Sequence, residues 1–271
     1  MVRPTIKRYR WYDQRIGVLM TITSNTSARR LTGRRVLVPG GTGGVGAGVV
    51  RKFLEAGADV VVPTRSDARG SQLRDELGEF GQSPLLHLPT HDYTTFTGAD
   101  ELGAEMTRRL GGIDDVVAPV GGWWQGRTLT EIGEADWQSA FVELATTHMA
   151  LVRGLVPRMS GAGSYSVVVG QSAGFPVPGS GLVSMEQAAI LMMQRVLAAE
   201  NPAARIHALV LGPVSTRFVE GDPAWVTSGE VGDVAVLLST STVPSSIHEI
   251  GSSDDAHTLV VSLQAASDAS A

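Results

Sequence analysis

Glycines at the spacing Gly40-x-x-x-Gly44-x-Gly46 directly follow a short apolar run. The pattern predicts a buried strand, a glycine turn and a helix over about 45–56. Because glycine has no side chain, the backbone can approach a pyrophosphate, whose charge is stabilised at the N-terminus of the helix. A second strand is predicted at 60–62, and a strand-turn-helix-strand unit of this length is the context in which such glycines indicate dinucleotide binding.

The residues after the second strand bear on which dinucleotide would bind. A chain that prefers NAD usually has an acid here, which binds the ribose 2′-hydroxyl. This sequence has Thr64 and then Arg65, and the planar, permanently charged guanidinium of Arg65 suits a 2′-phosphate. NADPH is therefore the predicted cofactor, with a solvated loop arginine as the alternative.

Predicted strands alternate with helices along the whole chain, which indicates an α/β fold with a doubly wound parallel sheet, Rossmann-like, in a single domain. From about residue 33 to about residue 240 the chain resembles the short-chain dehydrogenase/reductase family, whose glycine spacing it has, with Pro39 where Thr is usual. The cofactor contacts that the glycine motif, Arg65 and the resemblance together imply are Gly40, Thr42, Gly43, Gly44, Val45, Gly46, Arg65, Asp92, Tyr93, Pro119, Gly121, Gln187, Pro213, Val214 and Thr216.

The catalytic positions that the resemblance implies hold unusual residues. The family's Tyr-x-x-x-Lys falls on Val183 and Gln187, its Ser on Gln171, and its Asn on Glu143. The usual tetrad is therefore absent and its roles are not transferred. Ser172 is one residue late, but it could still contact a substrate from the loop; the alternative is a plain loop serine.

Aromatic residues are frequent in the loops expected to surround a substrate. The predicted substrate contacts are Trp123, Trp124, Ser172, Phe175, Phe218 and Trp225, the last two within a lid around 213–229. Aromatic walls suit a large planar ligand because they stack on it and bury its area. The alternative is that these side chains pack the lid and the core.

Loss of the tyrosine does not by itself abolish reduction. A general acid contributes about 10²–10⁴-fold, whereas orientation of the reactants contributes roughly 7–11 kcal/mol and hydride transfer is the chemistry of the cofactor. The leading hypothesis is an NADPH-dependent ketoreductase for a polycyclic hydroxyaryl ketone, with the proton supplied by the substrate's phenol or by water. The pattern resembles the tetrad-less ketoreductases of aromatic polyketide antibiotic pathways, of the angucyclinone (simocyclinone) kind. The alternatives are an inactive NADPH-binding scaffold or sensor and a non-redox cyclase or dehydratase.

Composition excludes several kinds of site. The chain has no cysteine, which excludes disulfides and thiol chemistry. His87 and His91 are four apart, but Pro89 between them opposes the helix that would direct both at a metal, so no metal site is expected. His148 lies among apolar residues and is predicted to be a packed histidine. A cytoplasmic protein without a nucleic-acid or membrane role is expected, because the apolar stretch 16–22 is too short for a span.

Both ends of the chain are predicted to lie outside the domain, which would cover 33–263. Residues 1–32 are basic and are predicted to be disordered or partly untranslated, with Met20 as a possible start. A last strand is predicted at 257–263 and a frayed Ala/Ser-rich tail at 264–271. The family often pairs the long helices that here span about 135–157 and 182–200, and the sequence leaves the oligomeric state open.

Overall fold

The structure is a computed structural model that describes residues 31–268. The predicted basic extension falls almost wholly outside the described residues. Its last part does not, because Leu31 is fully buried in the core. The packed domain therefore includes residues 31 and 32, two residues before the predicted boundary.

Nine strands and eight α-helices make up the described part of the chain. The strands are β1 (Arg35–Leu37), β2 (Asp59–Val61), β3 (Leu86–His87), β4 (Asp115–Ala118), β5 (Ser164–Gly170), β6 (Arg205–Leu211), β7 (Val214–Ser215), β8 (Val226–Thr227) and β9 (Ile247–Ile250). The helices are α1 (Gly44–Glu55), α2 (Asp67–Leu77), α3 (Phe96–Leu110), α4 (Glu134–Trp137), α5 (Glu143–Leu155), α6 (Gly181–Glu200), α7 (Ser228–Thr240) and α8 (Ser253–Asp268).

Seven parallel strands form the central sheet in the order β3-β2-β1-β4-β5-β6-β9. Alternate strand residues enter two cores: Val36 and Val38 pack with α1, α7 and α8 on one face, whereas Leu37 packs with α3, α5 and α6 on the other. From β1 the chain adds strands toward one edge of the sheet, and from β4 it adds them toward the other edge. The carboxyl ends of β1 and β4 therefore border the crevice in which such folds bind ligands. The predicted doubly wound α/β fold is confirmed.

The C-terminal segment differs from the prediction. Residues 257–263 form part of helix α8, not a strand, and 264–268 continue that helix where a frayed tail was predicted. Ala256 and Leu263 are buried, seven residues apart on one helical face, and Asp254 and Asp255 lie in the first turn, where carboxylates are favourable. The last strand is β9, which precedes this helix.

The helix predicted at 135–157 is built from four pieces. A π-helical turn, Gln138–Val142, joins α4 to α5, and a 3₁₀ turn, Val156–Arg158, follows α5. Such π turns widen the helix locally and are frequent at functional sites. None of the helices between residues 31 and 268 is both long and apolar enough to cross a membrane.

Candidate active site

The glycine turn after β1 is a place where only glycine fits. Gly40 has φ +81°, and a Cβ on it would lie 2.6 Å from the carbonyl oxygen of Pro119. A Cβ on Gly46 would lie 2.3 Å from the oxygen of Gly40, and one on Gly44 3.0 Å from the hydroxyl of Thr216. The N-cap residue of α1, Gly43, has no capping side chain, so the amide groups of the first turn are oriented to bind an anion.

An open cavity of about 410 Å³, here the outer cavity, lies on the α2 side of this turn. Predicted cofactor residues on its wall are Gly40, Thr42, Gly43, Arg65, Tyr93, Pro119 and Gly121. Arg69, in the first turn of α2, also lines it and was not predicted. Both arginines are exposed. Arg65 lies before the N-cap of α2, so helical periodicity alone could not have indicated that the two line one cavity.

Tyr93 and Asp92 differ in how they meet the outer cavity. The hydroxyl of buried Tyr93 accepts a hydrogen bond from the amide of Gly40 at 3.0 Å, which fixes the glycine turn. The carboxylate of Asp92 instead accepts hydrogen bonds from the hydroxyl and amide of Thr94, at 2.6 and 2.9 Å. These bonds lower the pKa of Asp92. Its carboxylate is therefore already engaged by Thr94, and it is absent from the cavity wall, although an adenine contact was predicted.

A second cavity of about 280 Å³, here the inner cavity, lies beyond the glycine turn at the carboxyl ends of β4, β5 and β6. Its predicted wall residues are Gly43, Gly44, Val45, Pro119, Gly121, Gln187 and Val214. Three other predicted contacts are absent from both walls. Gly46 packs within the turn, Thr216 lies against Gly44, and Pro213 is exposed.

Gln187 is fixed on the wall of the inner cavity. Its Oε1 accepts hydrogen bonds from the amide of Gly170 at 3.1 Å and from the hydroxyl of Ser172 at 2.7 Å. A 3₁₀ turn, Gln171–Ala173, follows β5 and places Ser172 against Gln187. Ser172 itself is on the wall of neither cavity, and its contact with a substrate stays a prediction. The side-chain nitrogen Nε2 of Gln171 lies near Gly251, because a Cβ on that glycine would be 2.8 Å from it. Gln171 is therefore directed away from the inner cavity.

Val183 and Glu143 provide no proton donor at the inner cavity. Val183 is 1% exposed within the core face of α6 and is not on the wall of either cavity. Glu143 is exposed and lines the outer cavity. The usual tyrosine hydroxyl thus has no counterpart at position 183.

Glu186 is a residue of this site that sequence reasoning missed. It is 2% exposed, it lines the inner cavity, and its Oε1 has no hydrogen-bond partner. Burial raises the pKa of Glu186 to about 7. The signal was present in the sequence, since residues 182, 186 and 190 lie four apart and thus on one face of a helix whose other members are apolar.

His148 fixes the loop that follows β4. Its Nε2–H donates to the carbonyl oxygen of Val120 at 2.9 Å, and Val120 lines both cavities. Burial lowers the pKa of His148 to about 4, so the ring is neutral near pH 7. The prediction of a packed histidine agrees with this position.

The predicted aromatic residues lie outside the walls of both cavities. Trp123, Phe175 and Phe218 are exposed, at 68%, 53% and 67%. The half-buried Trp225 packs on Gly221, where a Cβ would lie 2.2 Å from its ring. Trp124 follows Trp123 and is also half-buried. Substrate contact by these residues stays a prediction.

The lid is attached to the glycine turn by Arg217. The guanidinium of Arg217 donates to the carbonyl oxygen of Thr42 at 3.0 Å and pairs with Glu76 at the end of α2. It also lies 4.4 Å from the ring centroid of Phe218. Arg217 thus holds the predicted lid segment against the glycine turn and the end of α2. No cluster of three or more His, Asp or Glu side chains suited to a metal occurs among residues 31–268.

Comparison with known proteins agrees with this geometry. Two relatives are L-fucose dehydrogenase of Bos taurus, 37% identical over 92 residues (34% of this chain and 32% of that protein), and a probable oxidoreductase of Streptomyces lividans, 33% identical over 140 residues (51% and 45%). This chain thus matches less than half the length of either. A solved structure, the 3-ketoacyl-(acyl-carrier-protein) reductase of Brucella melitensis complexed with NADH, superposes with a TM-score of 0.72 at 18% identity, over 83% of this chain and 99% of that chain.

The family profile for short chain dehydrogenases matches residues 34–226, from β1 to β8. That range contains the glycine turn and the walls of the inner cavity, which are the parts that a dinucleotide-dependent oxidoreductase of this fold requires. By fold, cavity and family profile together, the chain belongs to the short-chain dehydrogenase/reductase family.

Proposed function

We propose that this protein is an NADPH-dependent ketoreductase that acts on a polycyclic hydroxyaryl ketone and obtains its proton from the substrate or from water. The observation on which the proposal depends is the inner cavity at the glycine turn, with buried Val183 in place of the usual tyrosine. Such ketones are typical of aromatic polyketide antibiotic pathways, to whose tetrad-less reductases of the angucyclinone kind the sequence is similar.

The two cavities fit the two halves of a dinucleotide. The glycine turn between them would hold the pyrophosphate, because a side chain on Gly40 would clash with Pro119 and one on Gly44 would crowd Thr216. The outer cavity, with Arg65 and Arg69, would take the adenosine half, and the inner cavity would take the nicotinamide. When bound, the cofactor supplies the hydride.

The preference for NADPH rests on the paired arginines. Guanidinium groups bind phosphate oxygens through charge-assisted hydrogen bonds, which are stronger than neutral ones. Arg65 and Arg69 lie on one wall of the outer cavity, and no acidic side chain follows β2 before Asp67. A 2′-phosphate would be bound by both arginines, whereas the 2′-hydroxyl of NADH would leave them without their anion.

A proton source in the substrate is consistent with the loss of the usual tyrosine hydroxyl. Val183 has no proton to give, and the hydroxyl of Ser172 donates to Gln187 at 2.7 Å. A phenol beside the ketone would protonate the developing alkoxide within the substrate itself. Exposed aromatic residues of the surrounding loops, such as Trp123 and Phe218, are available to stack on its rings.

Calorimetric titration with NADPH and NADH tests the cofactor assignment. We expect NADPH to bind more tightly than NADH. Arg69→Ala should lower the affinity for NADPH roughly 10- to 100-fold and change the affinity for NADH little, because each hydrogen bond to a charged group contributes about 1.5–3 kcal/mol. Arg108→Ala, at an exposed position of α3, is the matched control. If neither nucleotide binds, the reductase proposal fails.

Masking the phenol tests the proton source. A hydroxyaryl ketone and its methyl ether are compared in single-turnover oxidation of bound NADPH, with binding of each measured separately. We expect the ether to bind but to be reduced about 10²–10⁴-fold more slowly, the contribution of a positioned general acid. Equal rates would exclude the phenol as the donor, and tight NADPH binding without turnover of any such ketone would favour a binding or sensor protein.

A further inference from the structure

Glu186 is the one ionisable residue among the described residues that line the inner cavity. Apart from Gln187, the rest of the wall consists of apolar residues and glycine backbone, and it includes Val168, Val169, Ile190 and Leu211. The Oε1 atom of Glu186 is buried without a hydrogen-bond partner. A carboxylate in such surroundings is costly unless a cation joins it, so the carboxyl group is favoured in its neutral form.

Burial is the cause of this preference. The elements packed against α6 are β5, β6, α5 and the turns 138–142 and 171–173. Their titratable side chains, with those of α6 itself, are Tyr165, Arg205, His207, Glu143, His148, Arg153, Arg195 and Glu200. Burial alone raises the pKa of Glu186, with no charge from any of these groups contributing. The protonation state of Glu186 is therefore sensitive to any charge that enters the cavity.

Reduction of a ketone brings such a charge to this place. A reduced nicotinamide ring is neutral, and its oxidised form is a cation. A cation within several ångströms of a carboxyl group favours ionisation, whereas a neutral ring that excludes water from the cavity favours the protonated form. The carboxyl group of Glu186 would then lose its proton at the same step in which reduction consumes one.

We propose that Glu186 stores the proton that carbonyl reduction consumes. When the carbonyl carbon has accepted the hydride, the alkoxide oxygen takes the proton of the neighbouring phenol or of a water molecule. The resulting phenolate or hydroxide would take the proton of Glu186, which would leave a carboxylate on the wall of the inner cavity. After the products leave, Glu186 takes a proton from solvent, so that one proton and one hydride are consumed per alcohol formed. The inference rests on the proposed NADPH-dependent reduction.

The test measures protons, not turnover. Calorimetric titrations of the full chain with NADP⁺ and with NADPH, at pH 7 in buffers of different ionisation enthalpy, give the protons released or taken up per nucleotide. We expect proton release with NADP⁺ and proton uptake with NADPH, which together amount to about one proton because the carboxyl group would be ionised in one complex and protonated in the other. Proton exchange by the 2′-phosphate, whose second pKa is about 6, is common to both nucleotides and cancels in their difference.

Two variants assign the difference of about one proton to its source. Glu186→Gln, which keeps the shape of the protonated side chain, should abolish the difference between NADP⁺ and NADPH. Glu200→Gln, at an exposed position of the same helix, should retain it. A wild-type difference that persists in Glu186→Gln, or binding of both nucleotides by the wild type with no difference, overturns this inference and leaves the proposed reductase intact. Failure of both nucleotides to bind overturns both proposals.

An infrared difference spectrum of the wild-type protein covers the case in which Glu186→Gln does not fold. Subtraction of the NADP⁺ complex from the NADPH complex should show the carbonyl stretch of a protonated carboxyl group, matched by loss of a carboxylate band. The free nucleotides are subtracted as the control. Absence of any protonated carboxyl band would contradict a proton stored on Glu186.

Discussion

A carboxyl group buried as deeply as that of Glu186 makes the stability of the fold depend on pH. Burial raises its pKa from 4.5 to about 7. Between these values the unfolded chain has lost this proton while the folded protein retains it, so the contribution of Glu186 to stability falls as pH rises from about 4.5 to about 7. The whole difference corresponds to about 3 kcal/mol.

Replacement of this carboxyl group should therefore stabilise the protein at alkaline pH. Glu186→Gln is expected to raise the free energy of unfolding by up to about 3 kcal/mol at pH 8, and the gain should vanish near pH 4. Thermal unfolding of the variant and the wild type across this range measures the effect, with Glu200→Gln as the exposed control. A variant less stable than the wild type at pH 8 would show that the carboxylate has a stabilising partner.

The sequence was informative about residues whose type is dictated by the backbone and less so about side chains whose setting is tertiary. Gly40 and Gly44 were predicted from their spacing after a strand, and a Cβ on them would lie 2.6 Å from Pro119 and 3.0 Å from Thr216. The absence of the usual tyrosine at Val183 followed from the resemblance to the family. The surroundings of Glu186 were not predicted, because a glutamate in an apolar stretch shows its burial only when the face packed on the sheet is known.

At the scale of elements, α1 and α7 cross at unusually short distance. A Cβ on Gly48 would lie 2.4 Å from the carbonyl oxygen of Ser228, and one on Gly232 2.9 Å from the oxygen of Gly48. Since α1 begins in the glycine turn and α7 follows directly after β8 at the end of the lid, this contact determines how far apart the turn and the lid lie.

A methyl group at the crossing should disturb both stability and cofactor binding. Gly48→Ala is expected to destabilise the protein by about 1–3 kcal/mol, as overpacking does. It should also weaken the binding of NADPH, because α1 must shift. Gly70→Ala on α2 is the control, since its Cβ would meet nothing nearer than 3.6 Å and should be neutral or slightly stabilising. Denaturant unfolding and nucleotide titration measure the two effects. Equal behaviour of the two variants would show that the helices can separate freely.

Element type was predicted well where the strand and helix patterns were distinct, and poorly at the C-terminus. The segment 257–263 contains alternating apolar residues that suit a strand as well as a helix. What decides in favour of α8 is packing, because Ala256 and Leu263 both enter the core beside α7. Local pattern alone does not contain that information.

For the whole molecule, the two cavities are formed by residues far apart in the chain. The glycine turn, the loop after β4, the ends of β5 and β6 and helix α6 all contribute walls. These elements share one sheet whose two cores extend along its length. Opening either cavity completely therefore requires loss of packing across the described domain, so nucleotide binding should stabilise the domain as a unit.

This coupling predicts one thermal transition that moves with NADPH. A ligand at about 100 times its Kd adds about 2.7 kcal/mol to the folded state, which for a domain of this size raises Tm by roughly 5–10 °C. Differential scanning calorimetry at increasing NADPH measures the shift, and Arg69→Ala should give a smaller one at equal concentration because it binds NADPH less tightly. Two transitions, of which only one responds to NADPH, would show that the cavity walls and the rest of the sheet unfold as separate units.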